Sequence, residues 1–131
     1  MNVKIANANC PAEVTLSIIG GRWKTPILYH LFQDEKRFSE LRRRLKPITQ
    51  KMLTQQLREM ERDGLVHREV FPQVPPRVEY SLTPLGETLR PVIDAMCQWG
   101  ASFRDGRLEA VGVAYIADMS GKAGESAARR E

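Results

Sequence analysis

The stretch PITQKMLTQQLREMERDGLVHR, from Pro47 to Arg68, decides how the chain is read. Leu53, Leu57 and Met60, with Met52 beside them, recur at the spacing of a helix stripe that faces a core. Gln50, Lys51, Thr54, Gln55 and Arg58 fall on the opposite face. Amide, hydroxyl and cationic groups of this kind can meet base edges and hold phosphates. Glu59, Glu61 and Asp63 come only toward the far end, where a docked helix would keep them away from a polyanion. Thr49 can cap the helix, and Gly64 suits the left-handed position that ends it. Taken alone, the segment would also serve as a surface helix with a solvated polar face. Its neighbours decide.

Upstream, Phe38, Leu41 and Leu45 share one side of a predicted helix, with Arg42, Arg43 and Arg44 mostly on the other. Lys46-Pro47-Ile48 makes a tight connector, because the residue before a proline leaves the helical region. A short helix, a turn and a second helix with a basic polar face make a helix-turn-helix. Downstream, Val66–Phe71 and Arg77–Leu82 alternate in polarity around Pro72-Gln73-Val74-Pro75-Pro76. They predict a β-hairpin wing with its prolines confined to the tip, since proline cannot pair in the ladder.

Further out, Ile27, Leu28, Leu31 and Phe32 predict a helix over about 23–32, with Pro26 tolerated in its first turn. Asp34-Glu35-Lys36 reads as the turn after it. Pro11, after Asn9-Cys10, suits the first position of an earlier helix that Gly20-Gly21 ends. Residues 1–9 are expected to be flexible. Beyond the wing, Thr83 and Pro84 start a long helix along which Leu85, Leu89, Val92, Ile93, Met96, Trp99 and Phe103 repeat. Pro91 should kink it. That apolar face is long for one small core and suits packing against a partner chain. Residues 107–131 read as a partly disordered tail, with a short helix over Val111–Met119. The expected fold is mainly α with a small β-hairpin, a winged helix-turn-helix domain over residues 10–106.

The 131 residues carry a net charge of only +4, unevenly spread. From Lys36 to Arg58 eight bases face one acid, Glu40, so that segment holds +7 and the remainder −3. A local basic patch on a near-neutral protein suggests a polyanion met by one face. No apolar run is long enough to cross a bilayer, and the N-terminus lacks a signal-peptide core, so a cytoplasmic protein without membrane contact is expected. No metal or cofactor is expected. Cys10 and Cys97 cannot make a four-ligand zinc site, and His30 has no second ligand one turn on. Gly20-Gly21 with Lys24-Thr25 lacks the spacing of a phosphate loop. Without a nucleophile elbow or a carboxylate pair in an apolar setting, the chain is not read as an enzyme.

Short motifs along the chain add to this reading. They are Cys10-Pro11, Gly21-Arg22-Trp23-Lys24, Arg37-Phe38-Ser39-Glu40-Leu41, Leu53-Thr54-Gln55-Gln56-Leu57-Arg58 and Asp63-Gly64-Leu65-Val66. Pro75-Pro76-Arg77-Val78-Glu79-Tyr80, Leu82-Thr83-Pro84-Leu85-Gly86 and Trp99-Gly100 follow. In this order they resemble the HxlR-type family of winged helix regulators, over about residues 10–103. The resemblance implies a homodimer, joined through the first and last helices, that binds a pseudo-palindromic operator in double-stranded DNA and regulates transcription. Gln50, Lys51, Thr54, Gln55 and Arg58 are then candidates for the major groove, Arg42, Arg43 and Arg44 for phosphates, and Arg77 for the minor groove or backbone, with Thr49 at the helix cap also counted as DNA-binding.

The input signal is less determined. Cys10 precedes a helix start, where free N–H groups and the helix dipole favour a thiolate. In several members of the family a cysteine near this position senses oxidants or electrophiles, so Cys10 is a candidate redox sensor. Against this, Glu13 lies one turn away, and a small apolar packing role would explain the residue equally well. Cys97, beside Ile93 and Met96, reads as a packing residue. A small-molecule effector pocket lined by Trp23, Phe32, Phe71 and Trp99 is one expectation, and ordinary core positions are the other. The remaining alternatives are a winged helix that binds RNA, which a basic face does not distinguish from DNA, and a protein-interaction module.

Overall fold

The structure is a computed structural model that describes residues 10–106. The expectations for residues 1–9 and 107–131 lie outside the described residues. The chain divides into two units at Arg90–Pro91, each taken separately below. No helix among the described residues is long and apolar enough to cross a membrane.

The first unit opens with α1, Pro11–Ile19, and Pro11 occupies its first turn as expected. Gly20 ends it in an extended conformation, with its N–H donating to Leu16 O. Only Ile19 of α1 is buried, and Leu16 is 60% exposed. Helix α2, Lys24–Leu31, buries Ile27, Leu28 and Leu31. Helix α3, Phe38–Arg44, begins where the Arg37 N–H donates to the Glu40 carboxylate, 3.0 Å. It buries Leu41 and leaves Arg42, Arg43 and Arg44 exposed.

Helix α4, Gln50–Arg62, follows the Lys46-Pro47-Ile48 connector, and Ile48 is buried. Its cap is Thr49, whose Oγ1 accepts from the Met52 N–H at 3.1 Å. The expected stripe faces inward, with Leu53, Leu57 and Met60 at most 1% exposed. Gly64 adopts φ +80°. The Gly64 N–H then donates to Glu61 O and the Leu65 N–H to Met60 O, which closes the helix end.

Strands β2, Val66–Phe71, and β3, Arg77–Leu82, pair antiparallel from Val66–Leu82 to Phe71–Arg77, as the alternation predicts. The hairpin is one part of a larger sheet. A two-residue strand, β1, Lys36–Arg37, pairs with β3 through Lys36–Tyr80 and Arg37–Glu79, so the order is β1-β3-β2. The segment expected as a plain turn therefore ties the start of α3 to the wing. Thr83 joins sheet to helix end, donating its hydroxyl to Gly64 O and accepting from the Gly86 N–H. A Cβ on Gly86 would collide with the Leu65 carbonyl oxygen, which explains a glycine there.

The long closing helix does not form as one kinked rod. It is two elements, α5, Pro84–Glu87, and α6, Arg90–Arg104. Proline lacks an N–H and its ring clashes with the carbonyl four residues back, so Pro91 stops the helix from running through. It sits in the first turn of α6, where neither defect matters. Arg90 closes the first unit, donating to Phe32 O at 3.1 Å and lying 4.7 Å over the Phe32 ring. In the second unit Ile93 is buried, whereas Met96, Trp99 and Phe103 are half exposed. Trp99 and Phe103 stack with centroids 5.1 Å apart.

Candidate nucleic-acid interface

The buried stripe of α4 fixes which side of the helix meets solvent. Gln50, Lys51, Gln55 and Arg58 are exposed on that side, and Thr54 is half-buried. These five line one shallow groove along α4, together with Glu59 and Arg62. The predicted readers are thus brought onto a single surface. Glu59, placed by sequence at the remote end, belongs to the same groove. A second crevice runs between α3 and the start of α4, with Arg42, Arg43, Lys46 and Gln50 along it. Arg44 is exposed but is not among its lining residues.

A larger groove of about 700 Å³ separates α4 from the wing. Arg37, Thr54, Arg58, Arg68 and Arg77 line it, with Glu61 and Tyr80. Arg77 is half-buried in the last strand pair before the wing's loop, opposite Phe71, 4.0 Å over the Phe71 ring and with Nε 3.4 Å from Glu79. The tip carries the fully exposed Val74 instead. Sequence reasoning missed Arg37 and Arg68 as members of this face. Arg68 read as one residue of an alternating strand, and its nearness to α4 follows from register, which alternation does not reveal.

Not every base of the Lys36–Arg58 run belongs to this face. Lys36 is buried and paired with the Asp34 carboxylate. Lys24 is buried as well, with its ammonium 2.7 Å from Glu59 Oε1. The other carboxylate oxygen of Glu59 accepts from Gln55 Nε2 at 3.3 Å. The Lys24 hydrogen bond outweighs desolvation and holds the Glu59 carboxyl below its ordinary range. His30 is neither free nor satisfied. Its Nδ1 is buried with no hydrogen-bond partner among the described residues. Burial, with the charges of Arg44 and Lys36, holds its imidazole below its ordinary pKa.

Cys10 is exposed, and its backbone N–H donates to Glu13 Oε1 at 3.1 Å. The acid suspected from spacing is therefore in contact with this residue. Cys97 is exposed rather than packed. The aromatic residues suggested for an effector pocket are engaged separately. Trp23 lies under Arg22, Phe32 under Arg90 and Phe71 under Arg77.

Helix-turn-helix, wing and exposed polar helix face define a winged helix transcriptional regulator. Residues 18–107 match the family described as HxlR-like helix-turn-helix, and the chain belongs to it. It is 60% identical over 96 residues to the uncharacterized HTH-type transcriptional regulator YdeP of Bacillus subtilis, covering 73% of this chain and 75% of that protein. Among solved structures it resembles the redox regulator HypR in its reduced form, at 56% identity and TM-score 0.71, over 77% of this chain and 99% of HypR. It also resembles the reduced form of the transcriptional regulator YodB from B. subtilis, at 37% identity and TM-score 0.63, over 73% and 95% of the two chains.

Proposed function

We propose that this chain binds a pseudo-palindromic operator in duplex DNA as a homodimer. Helix α4 enters the major groove with Gln50, Lys51, Thr54, Gln55 and Arg58 toward the bases, and Thr49 at its cap beside them. Arg42, Arg43 and Arg44 meet phosphates, and Arg77 meets the backbone beside the wing. The single observation that supports this most is the α4 groove, in which the readers form one exposed surface above a stripe buried to 1% or less. A two-fold dimer would set two such helices about 34 Å apart, one DNA turn. The apolar residues left exposed on α1 and α6 support dimer contacts there.

Titration of a duplex, a scrambled duplex and a structured RNA against rising salt tests this reading. Preference for duplex, with affinity falling steeply as salt rises, is the expected outcome, because neutralised phosphates release counterions. Equal or tighter binding to RNA would replace it with the RNA reading. A salt-independent affinity would remove the basic face from the account.

Cys10 is the proposed sensor of oxidants or electrophiles. Support comes from its exposure at a helix start and from the similarity to a protein described as a redox regulator. Diamide treatment of wild type and Cys10→Ser decides it. Release of DNA by the wild type alone is expected, and equal release by both would exclude Cys10.

A further inference from the structure

We propose that Glu59 is a positioning residue that fixes which way the Gln55 amide faces, and through it the base that Gln55 reads. The inference rests on the reading of α4 as the DNA-reading helix.

The arrangement is a three-residue chain across two helices. The buried Lys24 of α2 donates to one oxygen of Glu59 on α4, 2.7 Å away. The second oxygen accepts from Gln55 Nε2, 3.3 Å away and one helical turn earlier. A free glutamine amide turns over readily and can present either its donor or its acceptor end. While bonded to Glu59 it cannot, because an ionised carboxylate only accepts hydrogen bonds. The amide nitrogen must face Glu59, and the carbonyl oxygen must face away. The Lys24 ammonium keeps Glu59 charged and cancels a negative charge that would otherwise repel phosphates.

The consequence is a base preference. Adenine offers one acceptor and one donor in the major groove, whereas guanine offers two acceptors. With one N–H engaged by Glu59, Gln55 retains a carbonyl and a single N–H. That pair matches adenine and does not match guanine. The same contact gives Lys24, the last residue of the Gly21-Arg22-Trp23-Lys24 motif, the role of holding Glu59.

Glu59→Gln separates positioning from mere support. The Lys24 ammonium only donates, so the carboxamide introduced at position 59 must turn its oxygen to Lys24 and its nitrogen to Gln55. The Gln55 amide then reverses and presents two N–H groups outward. Selection of bound duplexes from random DNA should show adenine at one base pair per half-site for wild type, a preference that Gln55→Ala abolishes at that base pair. For Glu59→Gln the adenine-to-guanine ratio there should fall by roughly tenfold, the equivalent of about 1.4 kcal/mol. Thermal melting of the same variants, with Lys24→Met as a second way to release Glu59, reads stability separately. An unchanged base profile in Glu59→Gln, or an equal loss on all sequences, overturns the positioning role. If wild type selects no duplex at all, the DNA reading fails with it.

Discussion

Two helices of this protein carry apolar stripes that look alike on paper and behave oppositely. On α4, Leu53, Leu57 and Met60 are at most 1% exposed. On α6, Met96, Trp99 and Phe103 are 44%, 54% and 45% exposed. Helical spacing alone gives both the same reading. The first stripe is matched by apolar residues of its own unit, among them Ile27, Leu28 and Leu41. The second leaves large aromatic surface uncovered, which a soluble monomer seldom keeps in one patch. Periodicity therefore reports that a face is apolar, and the rest of the chain determines what covers it.

The strongest way to break this contrast is to truncate both stripes. Leu57→Ala should lose about 2–5 kcal/mol of unfolding free energy in urea, because it empties a filled core site. Replacing Trp99 and Phe103 together by Ala should leave the unfolding of dilute protein nearly unchanged and weaken self-association in sedimentation. A loss in dilute protein equal to that of Leu57→Ala would erase the distinction. A smaller effect is expected where α5 meets Leu65. Gly86→Ala should cost about 1–3 kcal/mol by thermal melting, since its Cβ meets the Leu65 carbonyl and the backbone must shift. No loss would mean that this junction yields freely.

The smallest effect is on pH dependence. His30 has its pKa lowered from 6.5, so the unfolded chain takes up that proton first. Stability contributed by the neutral imidazole is complete above pH 6.5 and falls as the pH drops below it. The Glu59 contribution, with its pKa also lowered, is lost only below about 4.5. His30→Gln should flatten the melting curve in the upper window and leave the lower one unaltered. An unchanged upper slope would assign it to another group.

Much of the first unit was legible because its signals are local. Pro11, Thr49, Gly64 and Thr83 mark element ends through backbone chemistry that depends on few neighbours. The hairpin strands fall where alternation put them. Strand β1 was not legible, since two residues carry no period and their pairing depends on β3, some forty positions later. Pro91 by itself predicts a kink, whereas the structure has a full break between Pro84–Glu87 and Arg90–Arg104. Within the candidate interface, the residues facing out from α4 followed from the stripe facing in. What spacing could not supply were the contacts between elements, namely Lys24 with Glu59, Arg68 beside α4, and Lys36 withdrawn into a buried pair.

The proposed function requires α4 to read bases rather than merely hold phosphates. Titration of wild type, Gln55→Ala and Arg58→Ala against the selected operator and a scrambled duplex of equal length tests this most directly. Each substitution should cost roughly 1–3 kcal/mol on the operator and much less on the scrambled duplex. Equal losses on both duplexes would show that this face touches only the backbone, and would contradict the account.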